Sequence, residues 1–265
     1  MMRYCRVVAS SAAGDTSLPT FTRPPVVEVV LGLMFRPLPL GAIHLAQLHR
    51  LWSSTYPRVE EHPAIPANTA PGFFLQMNTA PDLRFWFISD TSGRLIQVQK
   101  DRIILNWRWQ NAEQEYPRYS ALRKELVARV SDFRAFLESS GVGPFDPIAS
   151  EVTYINVIGS ERYIEFHEAL NFVADQHGLP SVPVEASLQL KFDTADLLDR
   201  DSNFIVTATR DTSRDPAPIG LQLSSHSQVG NPDDFIKALD RSHELVVSSF
   251  REMTTSVMHE NWGLQ

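Results

Sequence analysis

The 265-residue sequence predicts an α+β fold: two β-α-β(3-4)-α repeats that form one curved antiparallel sheet backed by two long helices. Short runs of alternating or β-branched apolar residues, typical of strands, occur in both halves of the chain. Each half then closes with a long stretch in which apolar residues recur every three or four positions, as on one face of a helix. Because the elements follow the same order twice, the sequence predicts an internal duplication.

The first half begins with an apolar run at 24–37, which predicts a buried strand, followed by helical spacing up to about residue 56. Four prolines in segment 57–71 predict a long loop without regular structure. Four strand-like runs follow, at 73–78, 83–89, 94–99 and 102–109. A stripe of apolar residues that begins at Tyr119 then predicts a long helix that stops at Gly141.

The second half repeats this order with a strand at 147–159 and an amphipathic helix at 163–173. Three strands are predicted next, at 184–192, 204–209 and 219–225. Asn231 is the expected N-cap of the last long helix, whose apolar stripe extends to Val257.

The duplication divides the chain into a predicted disordered tail at 1–22 and repeats at 23–143 and 144–265. One sheet with an uncovered apolar face is not stable alone, so we expect the two repeats to merge into one structural unit. We also expect Trp262 to pack against the end of the last helix, because exposing a large aromatic side chain is unfavourable.

Composition limits the classes of function. A formal net charge of -7 disfavours non-specific binding to nucleic acid, which depends on neutralising phosphates. The single cysteine, Cys5, excludes a disulfide within the chain and a site built from several cysteines. No apolar run approaches the length of a membrane span, so we expect a cytoplasmic protein that needs no membrane. We expect no cofactor and no metal.

Two glutamates lie inside apolar strands at equivalent places in the two repeats, Glu28 and Glu151. Paired carboxylates can act as a general acid and base or hold a metal. The alternative is that each carboxylate pairs with an arginine such as Arg36 or Arg108. The sequence has none of the motifs G-x-S-x-G, G-x-x-x-x-G-K-[ST], G-x-G-x-x-G or H-E-x-x-H, so no established catalytic signature supports the first interpretation.

His243 falls between Leu239 and Val246 on the buried stripe of the last helix. A core histidine that is hydrogen-bonded to its surroundings explains this position. The alternative is a functional residue at the boundary between sheet and helix.

Several polar residues interrupt apolar strands, although amides are depleted in strands. The set consists of Gln97, Gln99, Asn106, Arg108, Tyr154 and Asn156. We predict that these residues lie on the sheet face opposite the helices, where nearby tryptophans would help to form a groove for a peptide or small ligand. A face that is simply hydrated is the alternative.

The element order resembles the duplicated fold of TATA-binding protein, although nothing here matches that protein's basic, phenylalanine-wedged DNA face. The segments PPVVEVVLGLMF, LIQVQKDRIILNWRW, YPRY, EVTYINVI and HELVVSSFREMTTSVMHENWG also resemble a sporadically distributed family of uncharacterised bacterial proteins. This second resemblance spans Pro24 to Gly263. It implies a bacterial, cytoplasmic protein of one architecture, and it supplies no catalytic residues.

The sequence therefore favours a non-catalytic binding or interaction protein that uses the open sheet face or segment 57–71. Its partner would be a protein or a small polar ligand. Bacterial defence and toxin–antitoxin-like systems are contexts in which such a protein would act. A homodimer is an open alternative. A second hypothesis is an enzyme for a small polar substrate, with Glu28, Glu151, Arg108 and His243 as candidate residues. Nucleic-acid binding is a third hypothesis, suggested by topology and opposed by charge.

Overall fold

The computed structural model describes residues 18–66, 82–174, 186–194, 202–210, 212 and 215–265. These residues form one curved nine-stranded antiparallel sheet with helices packed on one side, which confirms the predicted α+β class. The predicted strand at 73–78 lies outside the described residues.

The first repeat runs from β1 to α2. Its elements are β1 (Val26–Phe35), α1 (Ala42–Trp52), β2 (Arg58–Pro63), β3 (Leu83–Ile88), β4 (Arg94–Gln99), β5 (Arg102–Arg108) and α2 (Arg118–Ser140). The second repeat runs from β6 to α5. Its elements are β6 (Pro147–Ile158), α3 (Phe166–Ala169), β7 (Ser187–Asp193), β8 (Asn203–Arg210), β9 (Ile219–Gln228), a 3₁₀ turn at Pro232–Asp234, α4 (Phe235–Met253) and α5 (Ser256–Trp262).

The strands follow the order β2-β3-β4-β5-β1-β6-β9-β8-β7 across the sheet. The first strands of the two repeats, β1 and β6, pair antiparallel at its centre, with Val30 opposite Thr153. The long helices α2 and α4 pack on the same side, where Leu126 and Leu239 are fully buried in one apolar core. This arrangement confirms the predicted element order. That the halves cannot fold separately stays a prediction.

Local signals account for the helix ends that were predicted. Gly141 ends α2 in the left-handed region at φ 63°, which a residue without Cβ adopts readily. Asn231 accepts a hydrogen bond from the backbone N–H of Asp233 and caps the turn that precedes α4.

Two predicted elements were wrong. Segment 57–71 was predicted as an irregular loop, yet it contains β2. This strand lies at the edge of the sheet with Pro63 as its last residue, where the missing N–H of proline is tolerated. The predicted helix at 163–173 shrinks to one turn, because Leu170 adopts extended backbone and bridges to Thr254 at the end of α4.

The predicted tail at 1–22 overlaps structured residues, because Phe21 is packed and Phe21 and Thr22 both contact the C-terminal segment. Phe21 is 5% exposed and bridges to Leu264, and the N–H of Thr22 donates to the carbonyl of Gly263 over 3.0 Å. Residues 1–17 lie outside the described residues. Trp262 is packed as predicted, since its ring stacks on Phe250 at 5.3 Å between centroids. Within the described part of the chain, no helix has both the length and the apolarity to cross a membrane.

Candidate ligand-binding cleft

The six polar strand residues predicted to share one sheet face are divided between both faces. Tyr154 pairs with Val29 across β1, and Asn156 pairs with Val26. Because directly paired residues point to the same side of a sheet, and both valines belong to the core under the helices, Tyr154 and Asn156 also face the helices. Their predicted placement on the opposite face was therefore wrong.

We call the side of the sheet opposite the helices the far face. The predicted residues that lie there form hydrogen bonds with one another and with their neighbours. Arg84 Nη1 donates to Gln97 Oε1 over 2.9 Å, and Gln97 Nε2 donates to Asn106 Oδ1 over 2.6 Å. Asn106 Nδ2 and Arg108 Nε both donate to Glu28 Oε1, over 2.7 and 2.9 Å. The amides inside these apolar strands therefore link two arginines and a carboxylate across β3, β4, β5 and β1. We call this chain the far-face network.

Two further candidates have local partners. Gln99 holds the backbone of Ile65, accepting from its N–H over 2.9 Å and donating to its carbonyl over 3.0 Å. Glu151 accepts a hydrogen bond from Thr153 Oγ1 over 3.1 Å. It pairs with Gly32 of β1, four residues from Glu28, which places the two glutamates roughly 13 Å apart along the strand. The structure therefore does not bring these carboxylates together as a pair.

On the helix side, a cleft of about 540 Å³ lies between the two long helices at the junction of the repeats. Its walls come from the start of α2, the middle of α4, strands β1 and β6, and the first and last described segments of the chain. The lining residues are Leu18, Pro19, Thr20, Phe21, Pro24, Val26, Tyr116, Arg118, Tyr119, Ser120, Tyr154, Asn156, His243, Val246, Val247, Phe250 and Gln265. Three of the nine sequence candidates, Tyr154, Asn156 and His243, thus meet in one cavity.

A hydrogen-bonded aromatic wall crosses the cleft. The hydroxyl oxygens of Tyr116 and Tyr154 lie 2.9 Å apart, and Tyr154 Oη lies 3.2 Å from His243 Nδ1. The His243 ring stacks on Tyr119 with 3.7 Å between centroids and 7° between planes. Tyr119 Oη in turn donates to Asp240 Oδ1 over 2.7 Å. The wall connects α2 of the first repeat with β6 and α4 of the second, so it links the two repeats through hydrogen bonds and ring stacking.

Burial keeps this wall neutral at physiological pH. Desolvation lowers the pKa of His243 to about 4, although the nearby Asp240 carboxylate acts in the opposite direction. Desolvation also raises the pKa of Tyr116 to about 12 and that of Tyr154 well above its ordinary value. A proton donor or acceptor for catalysis works best with a pKa near the working pH. The wall is therefore suited to hydrogen bonding and poorly suited to acid–base chemistry.

Arg118 shapes the entrance of the cleft. Its backbone has φ 64°, the left-handed region that a residue with a side chain seldom occupies. Its Nη1 donates to the carbonyl oxygen of Phe21 over 3.1 Å, and its guanidinium carbon lies 5.5 Å from the centre of the Tyr116 ring. The contact with Phe21 ties the N-terminal segment to the start of α2.

Sequence reasoning missed Tyr116, Tyr119 and Arg118 as cleft residues. The segment YPRY contains all three, and Tyr119 was predicted only as a member of the apolar stripe of α2. The sequence did offer a signal. Two tyrosines lie on either side of a Pro-Arg pair at a helix start, and a histidine lies on the apolar stripe of the other long helix.

Comparison with protein-family models and with curated proteins finds no match. Across the ranges that the structure describes, no three histidine, cysteine, aspartate or glutamate side chains lie close enough together to hold a metal ion.

Proposed function

We propose that this protein is a non-catalytic binding protein whose ligand occupies the cleft between the two long helices. The observation that carries the proposal is the cleft itself, whose volume of about 540 Å³ falls within the range of roughly 300–1,000 Å³ that is usual for small-molecule sites. Most of its lining is apolar or aromatic, and its polar groups converge from both repeats. The expectation of a binding protein is kept, and the proposed site moves from the far face to the helix side.

The neutrality of the wall supports a mostly apolar, uncharged ligand with one hydrogen-bonding group. The charged groups beside the wall already have partners, since Arg123 donates to both oxygens of Asp240 over 2.7 and 2.8 Å. The guanidinium of Arg118 is engaged by the carbonyl of Phe21. On the wall itself, a hydroxyl or carbonyl group of a ligand would match the neutral groups of Tyr154 and His243.

The enzyme hypothesis has less support than binding. Its four candidate residues are separated, because Glu28 and Arg108 lie on the far face while His243 lies in the cleft. Nucleic-acid binding is opposed by the net charge of -7. The resemblance to a sporadic bacterial family, a cytoplasmic location and a role beside a protein partner in defence stay predictions.

A fragment screen with a filled-cleft variant tests the proposal. Small aromatic alcohols and ketones are mixed with the protein, and binding is detected by saturation transfer in NMR spectra. Val247 lines the cleft and is half-buried, so Val247→Trp should occupy part of the cavity. Val257→Trp is the matched control, because Val257 is 55% exposed on α5 and does not line the cleft.

We expect several fragments to bind the wild-type protein and Val257→Trp with similar affinity. Binding to Val247→Trp should be at least about tenfold weaker, which corresponds to roughly 1.4 kcal/mol. Fragments that bind all three proteins equally, or none of them, would contradict a ligand site in the cleft.

A further inference from the structure

Two arginines and a histidine surround one tryptophan on the far face. The guanidinium carbons of Arg84 and Arg108 lie 5.3 and 5.0 Å from the centre of the Trp86 ring. The His62 ring stacks on the same tryptophan with 3.9 Å between centroids. We call these four residues the Trp86 cluster. It lies on the opposite side of the sheet from the cleft.

The far-face network fixes both guanidinium groups of the Trp86 cluster. Gln97 accepts from Arg84, Glu28 accepts from Arg108, and Asn106 bridges the Gln97 amide to the Glu28 carboxylate. Gln97 is 5% exposed and Asn106 is 3% exposed, so the bridge is buried. Pre-positioning of two cations by buried amides reduces the entropy that a ligand must overcome.

The cluster has more hydrogen-bond donors than acceptors. Arg84 Nε and Trp86 Nε1 are buried and have no hydrogen-bond partner. Buried donors without acceptors are rare in folded proteins, because taking a polar group out of water without a partner is unfavourable. Within the described ranges, Arg84 forms no ion pair, whereas Arg108 pairs with Glu28.

Like charges are also crowded at this place. Burial lowers the pKa of Arg84, and the nearby positive charges of Arg102 and Arg108 lower it further. Asp101 pairs with Arg102, Glu28 pairs with Arg108, and Glu60, which lies opposite Trp86, contacts His62, whereas Arg84 has no ion-pair partner within the described ranges. Arg84 is therefore the cation of this surface with which an added anion would pair.

We propose that the Trp86 cluster binds the oxyanion group of a small molecule, a carboxylate or a phosphate. The anion would reach Arg108 first, because the Arg108 side chain is 40% exposed and only its Nε is engaged by Glu28. The planar guanidinium fork of an arginine matches either oxyanion. Arg84 Nε and the indole N–H of Trp86 would donate to the same anion after a small movement of side chains.

The test uses inorganic phosphate and acetate as probes on the full-length protein labelled with ¹⁵N. Arginine Nε–H and tryptophan indole N–H resonances are followed by NMR during each titration, with sodium chloride at equal ionic strength as the reference. The Trp86 resonance is assigned with Trp86→Phe. We expect saturable shifts of the Arg84 and Trp86 resonances with at least one probe, and the stronger probe identifies the type of oxyanion. No saturable shift with either probe would overturn the proposal.

Two charge-removing variants locate the site. Arg84→Gln and Arg108→Gln should each weaken binding by at least about tenfold, because each removes a charge-assisted hydrogen bond to the anion. Arg50→Gln is the control, since it removes the same charge from an exposed position of α1 on the other side of the sheet. Should Arg84→Gln fail to fold, Arg108→Gln decides alone. Equal weakening by Arg50→Gln, or no weakening by Arg108→Gln, would show that binding is not at this cluster.

Discussion

The cleft wall and the far-face network, which lie on opposite sides of the same sheet, hold their polar side chains in different ways. On the helix side, Tyr154 and His243 are held neutral, because burial raises the pKa of one and lowers that of the other. On the far face, Glu28 and Arg108 form an ion pair, with side chains that are 19% and 40% exposed.

Access to solvent explains this difference. A group that is taken out of water without a close opposite charge loses its own charge, whereas a half-exposed group keeps it and finds a partner. The helix side therefore matches an uncharged ligand, and the far face matches an anion. Four substitutions and one titration sharpen or break this contrast.

The largest expected effect is acid destabilisation caused by His243. Its pKa is lowered to about 4 in the folded protein, so between pH 6.5 and 4 the unfolded chain takes up a proton that the folded protein does not. Unfolding should become easier by about 3 kcal/mol as the pH falls from 7 to 4. Asp240, whose pKa is also lowered, loses its contribution only below this window.

Urea denaturation at pH 7 and pH 4 measures this effect in the wild-type protein and in His243→Gln. The variant should lose less stability than the wild type over this interval, by most of that 3 kcal/mol. Equal losses in both proteins would mean that His243 is protonated in the folded state, and the neutral wall would be wrong.

The next effect concerns the far-face network. Asn106→Ala removes the acceptor of Gln97 and one donor to Glu28, so we expect a loss of about 1–3 kcal/mol in the free energy of unfolding. Urea denaturation at pH 7 measures it, with Asn261→Ala on the exposed surface of α5 as the control, expected within about 0.5 kcal/mol. If Asn106→Ala loses no more stability than the control, the far-face network does not stabilise the fold as we argue.

Removing one hydroxyl from the cleft wall should have a smaller effect. Tyr119→Phe keeps the ring that stacks on His243 and deletes the hydrogen bond to Asp240. We expect a loss of about 1 kcal/mol, because Asp240 retains Arg123 as a partner. Thermal denaturation followed by circular dichroism measures it, and an unchanged melting temperature would indicate that the hydroxyl contributes nothing.

The smallest effect is expected for an exposed ion pair. Arg36 and Asp146 lie 2.6 Å apart, yet their side chains are 74% and 36% exposed. Arg36→Ala should therefore change the free energy of unfolding by no more than about 0.5 kcal/mol. A loss comparable to that of Asn106→Ala would show that exposure does not govern polar contacts in this protein as we argue.

Much of the fold was predictable because its signals are local. Alternating apolar residues located β4 and β5, and Gly141 and Asn231 marked helix ends. The element order of the two repeats followed from the same patterns.

The candidate site was less predictable, because it depends on contacts between distant parts of the chain. Strand parity showed that Tyr154 and Asn156 share a face, but the register of β6 against β1 decided which face. Likewise, no local pattern brings Tyr119 of α2 onto His243 of α4. Packing of α2 on β1 and β5 and of α4 on the adjacent β6 and β9 does so.

The pKa of His243 tests the central claim, a neutral and desolvated wall in the cleft, most directly. The Cε1–H resonance of this histidine, assigned with His243→Gln, is followed by NMR from pH 8 to the lowest pH at which the protein stays folded. We predict a midpoint near 4, far below the ordinary value of 6.5. A midpoint between 6 and 7 would show a solvated, readily charged ring and would contradict the account.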